Sequence, residues 1–278
     1  MYIKRDDLIH PEISGNKWRK LKYNFEYARK KGFSEIVTFG GAFSNHIAAT
    51  ACAAGHLELL SVGIIRGDEL NESSNSTLQL AHDHGMKFEF VRRDVYRTIR
   101  NDFESLREKY PNAYIVPEGG TNNLAVRGAS EIVQEINVDY DCIITAVGTG
   151  GTMAGLVLGL AGKKEVFGIS SLKGEFVALE FHKLLVSLGI SFTNYKISSD
   201  YHFGGYAKTS SQLIDFINTM KQELNLLFDP IYTGKALFGV WNMIANGNFD
   251  NQTLVFLHTG GLQGIAGFNQ KSSQKIHI

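Results

Sequence analysis

The sequence predicts an α/β fold built on parallel sheets, and two observations carry that prediction. Short β-branched or apolar runs alternate with helical patterns from one end of the chain to the other. Four of the runs lead into glycine pairs, Gly40-Gly41, Gly119-Gly120, Gly150-Gly151 and Gly260-Gly261. Strand–helix alternation puts helices over both faces of parallel strands. In open sheets of this kind ligands lie beyond the carboxyl ends of the strands, where loops approach them with bare backbone. One glycine pair is a turn; four point to a shared cleft. At 278 residues the chain accommodates one large domain, or two smaller ones with that cleft between them.

In chain order, the spacing predicts a helix from Asn16, where Trp18, Leu21, Phe25 and Ala28 recur at three and four on one face. Strands are expected at Glu35–Phe39, Leu60–Ile65, Lys87–Val91 and Ala113–Val116, then at Cys142–Val147, Val166–Ser170 and Leu254–Leu257. An alanine-rich helix follows His46. The polar patch Asn71 to Thr77 reads as a loop and helix start, and no solenoid-period repeat is evident.

Composition narrows the function classes. The chain is 44% hydrophobic and 20% charged, with 28 basic and 28 acidic residues. That balance gives no electrostatic case for nucleic acid or an anionic membrane. No apolar run reaches the length of a membrane span, and the opening residues lack the apolar core of a signal peptide, so a cytoplasmic protein is expected. Cys52 and Cys142 read as reduced core thiols. His82-Asp83-His84 has no third or fourth ligand in view; it reads as a solvated helix end, and no metal site is expected.

Five stretches hold candidate chemistry. In Ser14-Gly15-Asn16-Lys17-Trp18-Arg19-Lys20, a plain reading is a helix cap and a basic solvated face. The functional reading makes Lys17 an amine nucleophile for an aldehyde cofactor, its pKa lowered by the neighbouring cations Arg19, Lys20 and Lys22. Lys20, one turn on, is then in reach of a phosphate. In Gly40-Gly41-Ala42-Phe43-Ser44-Asn45-His46, a glycine turn and helix cap competes with an anion site for a substrate carboxylate. Gly148-Thr149-Gly150-Gly151-Thr152, directly after a buried-type strand, is the strongest local signal, a phosphate cradle of amides and hydroxyls. Met153 stands where a dinucleotide fingerprint needs its third glycine, and a P-loop's Gly-Lys-Ser/Thr is missing, so a single phosphate fits best. Asp229-Pro230-Ile231-Tyr232-Thr233-Gly234-Lys235 and Leu257-His258-Thr259-Gly260-Gly261 read locally as a turn before a helix and a glycine-ended strand.

In combination, Lys4-Arg5-Asp6-Asp7, Gly15-Asn16-Lys17 with Arg19-Lys20-Leu21, Gly40-Gly41 with Ser44-Asn45-His46, and the three later stretches resemble the family of 1-aminocyclopropane-1-carboxylate (ACC) deaminase and D-cysteine desulfhydrase. The likeness runs from Lys4 to Gly261. It implies a tryptophan-synthase-β-like fold (fold type II) of two open twisted parallel-sheet domains with pyridoxal 5'-phosphate between them. A small domain of residues 20–127 is expected, with 1–19 and 128–278 forming the larger, cofactor-binding one. The resemblance implies Lys17 as the Schiff-base lysine and shuttle of the α-proton. It further implies Gly148 to Thr152 with Lys20 at the phosphate, and Ser44, Asn45 and His46 at the substrate, Asn45 also at the ring hydroxyl. Tyr232 faces the substrate, Glu118 to Asn122 line the cleft, and the active species is a homodimer.

Two positions discriminate within the family. Its ACC deaminases carry glutamate after the tyrosine and leucine before the last glycine pair; here stand Thr233 and Thr259, the desulfhydrase pattern, both expected beside the cofactor. A carboxylate near the ring nitrogen makes the ring a stronger electron sink, which an unactivated cyclopropane needs more than a departing thiolate does. Expected, therefore, is α,β-elimination from D-cysteine or a similar β-substituted D-amino acid to pyruvate, ammonia and sulfide. The alternatives are ACC deamination to α-ketobutyrate, another small-amino-acid racemase or dehydratase, and, in a different class, a non-catalytic cofactor- or amino-acid-binding protein. The chain departs from the family in beginning close to Lys4 and in a shorter second half, which bears on cleft closure and subunit contacts.

Overall fold

Two parallel sheets, each flanked by helices, make up the computed structural model, which describes residues 1–278. The first strand, β1 (Tyr2–Arg5), belongs to the larger sheet, and the chain then leaves it through α1 (Asn16–Lys30). The smaller sheet follows as β2 (Glu35–Gly41), α2 (Asn45–His56), β3 (Leu60–Arg66), α3 (Ser76–Asp83), β4 (Lys87–Val91), α4 (Arg93–Ile99), α5 (Phe103–Lys109) and β5 (Ala113–Ile115). The chain returns through α6 (Asn123–Ser130) to β6 (Cys142–Val147), α7 (Gly151–Leu160), β7 (Glu165–Ser170), α8 (Phe176–Ser187) and β8 (Tyr195–Ser198). Last come α9 (Ser211–Leu224), α10 (Thr233–Ala245), β9 (Leu254–His258) and α11 (Gly264–Lys271). Strand order is β1-β9-β6-β7-β8 in one sheet and β4-β3-β2-β5 in the other, with every pairing parallel. The expected α/β class and its two parallel sheets are what the chain forms.

Parallel strands buried on both faces need apolar cover on both sides. Over the larger sheet, Ile143, Val147 and Val166 pack with Met153 and Val157 of α7 and Phe181 of α8 on one face. Ile144, Ile169 and Phe256 pack with Leu237 and Val240 of α10 on the other. Met153 fits because its sulfur lies against Gly168 of the neighbouring strand, where a Cβ would come within 2.6 Å. Helix starts are capped as the sequence suggests: Ser44 accepts from Ile47 N, and Asn75 accepts from Thr77 N and Leu78 N. Each such cap stabilises its helix by about 1 kcal/mol.

The Lys4-Arg5-Asp6-Asp7 stretch has a structural task. Buried Asp6 accepts from Lys4 at 2.9 Å and from Arg19 at 3.1 Å, and Arg19 also pairs with Glu135. That network fastens β1 and α1 to the segment that follows α6. Arg19 holds Glu135 down to about 2 through its hydrogen bonds.

Candidate active site

The carboxyl ends of both sheets open onto one cleft of about 440 Å³. It is reached by the loops after β2, β6 and β9, by the turn Glu118–Gly120, and by the start of α1. Lys17, Lys20, Ser44, Asn45, His46, Gly148, Thr149, Gly150, Gly151, Thr152, Tyr232 and Thr259, twelve of the thirteen candidate residues, lie on its lining. Thr233 is the exception. It is fully buried, and its hydroxyl donates to Asp229 Oδ2 at 2.6 Å and accepts from Asp229 N at 3.1 Å.

Lys17 is aimed by a backbone feature. Gly15 has φ +62°, and a Cβ on it would come within 1.9 Å of the Thr259 carbonyl oxygen, so only glycine fits. Asn16 N donates to that oxygen at 3.1 Å, and Asn16 Nδ2 donates to Thr152 Oγ1 at 2.8 Å. The first turn of α1 is thereby fixed to the loops after β9 and β6. The Lys17 amine makes no hydrogen bond with the protein. Although the residue keeps some surface on the cleft, burial pushes its pKa down to about 8. The cause differs from the expected cation neighbours, because Arg19 is tied to Asp6 and Glu135, and Lys22 to Glu131. Desolvation does the work.

Lys20 is buried beside it and donates to Thr121 Oγ1 at 2.9 Å, which is linked at 2.8 Å to Thr149 Oγ1. Burial first, then the charge of Lys17, lowers its pKa well below the usual lysine value. The two lysine amines lie close to the start of α7, where an anion would relieve their mutual repulsion. A Cβ on Gly151 would lie 2.8 Å from Thr121 Oγ1 and 3.0 Å from Lys20 Nζ, and one on Gly148 would lie 3.0 Å from the Tyr232 ring. The glycines keep a space between hydroxyls, a lysine and the amides of a helix start, which suits one phosphate group. His46 lies under the floor. Its Nε2 meets Thr38 Oγ1 at 2.7 Å, its Nδ1 has no hydrogen-bond partner, and burial with the charges of Lys17 and Lys20 keeps the ring neutral. These groups fit pyridoxal phosphate: a free amine for its aldehyde and a cradle for its phosphate on the lining of the same cleft.

Tyr232 lines the cleft beside Gly148, its ring 6.0 Å from that of Tyr206. Burial raises its pKa well above the usual tyrosine value, so its hydroxyl stays protonated. Sequence reasoning missed Arg66, Arg100 and Tyr206 and read Asp229 only as part of a turn; all four are on the lining. Arg100 pairs with Glu118 at 2.5 Å, and Tyr96 donates to the same carboxylate at 2.9 Å. Asp229 holds the turn before α10, its carboxylate accepting from the amides of Ile231, Tyr232 and Thr233 and from the Thr233 hydroxyl. A larger groove of about 670 Å³ runs outside, between α1 and α2; it holds Trp18, Leu21 and Phe25 but neither Lys17 nor a glycine loop.

Comparison with known proteins shows the family and the fold. A family model described as pyridoxal-phosphate dependent enzyme matches residues 1–260. A Pyrococcus abyssi protein named as a candidate 1-aminocyclopropane-1-carboxylate deaminase is 33% identical over 98% of this chain and 87% of its own. The Arabidopsis thaliana mitochondrial protein named bifunctional D-cysteine desulfhydrase/1-aminocyclopropane-1-carboxylate deaminase is 30% identical, over 95% of this chain and 73% of its own. A crystal structure of an ACC deaminase homologue superposes with a TM-score of 0.83 at 29% identity, covering 97% of this chain and 86% of that one.

Proposed function

This chain belongs to the pyridoxal-phosphate-dependent enzymes of the ACC deaminase and D-cysteine desulfhydrase family, and on that premise we propose that it catalyses α,β-elimination from D-cysteine or a similar β-substituted D-amino acid. Its two parallel-sheet units make the fold-type-II, tryptophan-synthase-β-like arrangement. In balance, D-cysteine and one water give pyruvate, ammonia and sulfide. The observation that carries the reading is Lys17: a cleft-facing amine with no hydrogen-bond partner and a pKa pushed down to about 8 by burial.

When bound, pyridoxal phosphate supplies a conjugated ring that takes up the electron pair left at Cα as its proton departs. The chain's residues then have these tasks. Gly148 to Thr152 and Lys20 would hold the phosphate, and the Lys17 amine would hold the aldehyde end of the cofactor. Ser44, Asn45 and the amides at the start of α2 bind the substrate carboxylate. As a neutral amine, Lys17 would take the α-proton. Tyr232, kept protonated by burial, donates to the leaving sulfur rather than acting as a base. Thr259 offers a hydroxyl on the lining where the family's ACC deaminases have leucine, and no side-chain carboxylate stands at position 233. The same reading takes residues 20–127 as a unit closing on the rest, and a cytoplasmic homodimer as the active species. No helix is long and apolar enough to cross a membrane.

Asp229 favours a second reading, ACC deamination. Its carboxylate borders the cleft directly behind Thr233, so a carboxylate is present even though position 233 lacks one. All its hydrogen bonds go to the start of α10, which is why we rank this second. The two readings separate in a product assay with D-cysteine and ACC side by side. Sulfide and pyruvate from D-cysteine, without α-ketobutyrate from ACC, is the expected result; α-ketobutyrate from ACC alone would overturn it.

A further inference from the structure

A second cluster of reactive side chains lies outside the cleft, at the far end of α2. Cys52 and His56 are one turn apart on that helix and so share a face. Glu12, in the loop before α1, reaches over them. Cys52 Sγ lies 3.3 Å from Glu12 Oε2, and His56 Nε2 lies 3.5 Å from the same oxygen. The three donor atoms are all within 4.8 Å of one another. From the turn after α3, His84 Nε2 comes to 3.4 Å from the other carboxylate oxygen, Oε1. The expectation of a solvated helix end at His82-Asp83-His84 therefore holds for the exposed first two residues and fails for His84, which turns toward Glu12.

We propose that Glu12, Cys52 and His56 form a zinc site on the outer face of the protein, with His84 orienting the carboxylate from behind. Around a tetrahedral zinc, with Zn–S about 2.3 Å and Zn–N or Zn–O about 2.0 Å, neighbouring donor atoms sit about 3.3–3.5 Å apart. The Cys52–Glu12 and His56–Glu12 separations match two edges of that tetrahedron, and Cys52 Sγ and the His56 ring nitrogen, within 4.8 Å of each other, would close the third on binding. The donor set suits the same ion. One thiolate, one imidazole and one carboxylate select a borderline metal such as zinc over calcium or magnesium, which prefer all-oxygen sites. Cys52 is fully buried, whereas the His56 and Glu12 side chains are 54% and 40% exposed. The ion has an entry path from solvent, and the fourth position is left to water. On binding, the thiol proton that Glu12 now accepts leaves to solvent and the Cys52–zinc bond forms.

The surroundings hold these groups in place. His10 Nδ1 accepts from Glu12 N at 3.1 Å and Ile13 N at 3.0 Å, and its ring stacks on Trp18 at 5.2 Å, which fixes the Glu12 loop. Gly55 lets His84 approach, since a Cβ there would meet the His84 carbonyl oxygen at 3.1 Å. A metal here ties the loop that leads into Lys17 to the helix whose opposite end carries Ser44, Asn45 and His46. It is independent of the cofactor reading.

The untagged holoenzyme, dialysed against buffered zinc, tests this by metal analysis and competition with a chromophoric chelator. One zinc per chain is expected. His56→Ala, on an exposed helix end, should bind zinc about 100-fold or more weakly while keeping its circular dichroism; Cys52→Ser should do the same. His84→Ala should weaken binding about 10–100-fold, as outer partners of ligands do. His82→Ala, outside the cluster, should change nothing. Zinc-edge X-ray absorption should show one sulfur at about 2.3 Å. Failure to retain stoichiometric zinc, or equal retention by wild type, His56→Ala and Cys52→Ser, would overturn the proposal.

Discussion

The two walls of the cleft are made of different material. The wall built on the larger sheet brings bare backbone to the cleft, Gly148 to Gly151 after β6 and Gly260 after β9, beside Tyr232 and Asp229. The facing wall, from α1 and the smaller sheet, is mostly side chain: Lys17, Lys20, Ser44, Asn45 and His46. On the proposed reading the glycine loops position an anion, and the reacting amine comes from the facing wall. The large-sheet unit also holds a buried lysine, Lys235, and burial pushes it to about 8, as it does Lys17. But Lys235 donates to the His202 and Gly205 carbonyl oxygens at 3.0 and 2.8 Å, and Lys17 donates to nothing. A depressed pKa marks burial in both; on the proposed reading it is the missing hydrogen bond that leaves Lys17, and not Lys235, free to react.

Substitutions can break this contrast, beginning with the largest effect. Lys17→Ala should lower the elimination rate by roughly 10³-fold or more, since it removes both the covalent anchor and the proton carrier. Because the amine bonds to nothing in the protein, thermal unfolding of the cofactor-free variant should stay near wild type. The same amine sets a pH dependence. Only its neutral form attacks an aldehyde, so the initial rate at which cofactor-free protein takes up pyridoxal phosphate should rise with pH and reach half-maximum near 8. A midpoint near 10 would mean that burial does not depress it.

Gly15→Ala comes next, because the added Cβ would overlap the Thr259 carbonyl at a positive φ. It should cost about 3 kcal/mol in denaturant unfolding and misplace Lys17. Lys235→Met should strip two buried carbonyls of their donor and cost about 1–3 kcal/mol. Its turnover should change far less than that of Lys17→Ala; a comparable loss would erase the contrast between the lysines. Thr121→Val, the smallest change, removes the Lys20 hydroxyl partner and should weaken cofactor binding about tenfold at equilibrium.

What the sequence made legible follows the same division. The buried strands of both sheets are apolar runs that end in glycine, so β2, β6 and β9 and their loops could be read locally. The strands β1 and β8 could not be read so. Both lie at sheet edges, where one side need not be apolar: Tyr2-Ile3-Lys4-Arg5 looks like a charged terminus and Tyr195–Ser198 like a loop. The glycine and lysine motifs of the cleft are contiguous and were visible. Arg66 and Arg100 enter it from the end of β3 and from beyond α4, and neither has local context to separate it from a surface cation. Thr233 shows the limit most clearly. Its position suggested a cofactor contact, yet its hydroxyl is engaged by Asp229 four residues earlier. The zinc ligands come from a loop and α2, and His84, orienting them, from the turn after α3; the His82-Asp83-His84 spacing drew attention to only one of the residues that meet there.

The most direct test of the account is to reduce the holoenzyme with borohydride and map the modified peptide by mass spectrometry. The account predicts a single reduced pyridoxyl-phosphate adduct on Lys17. An adduct on Lys20 or Lys235, or none at all, would contradict it.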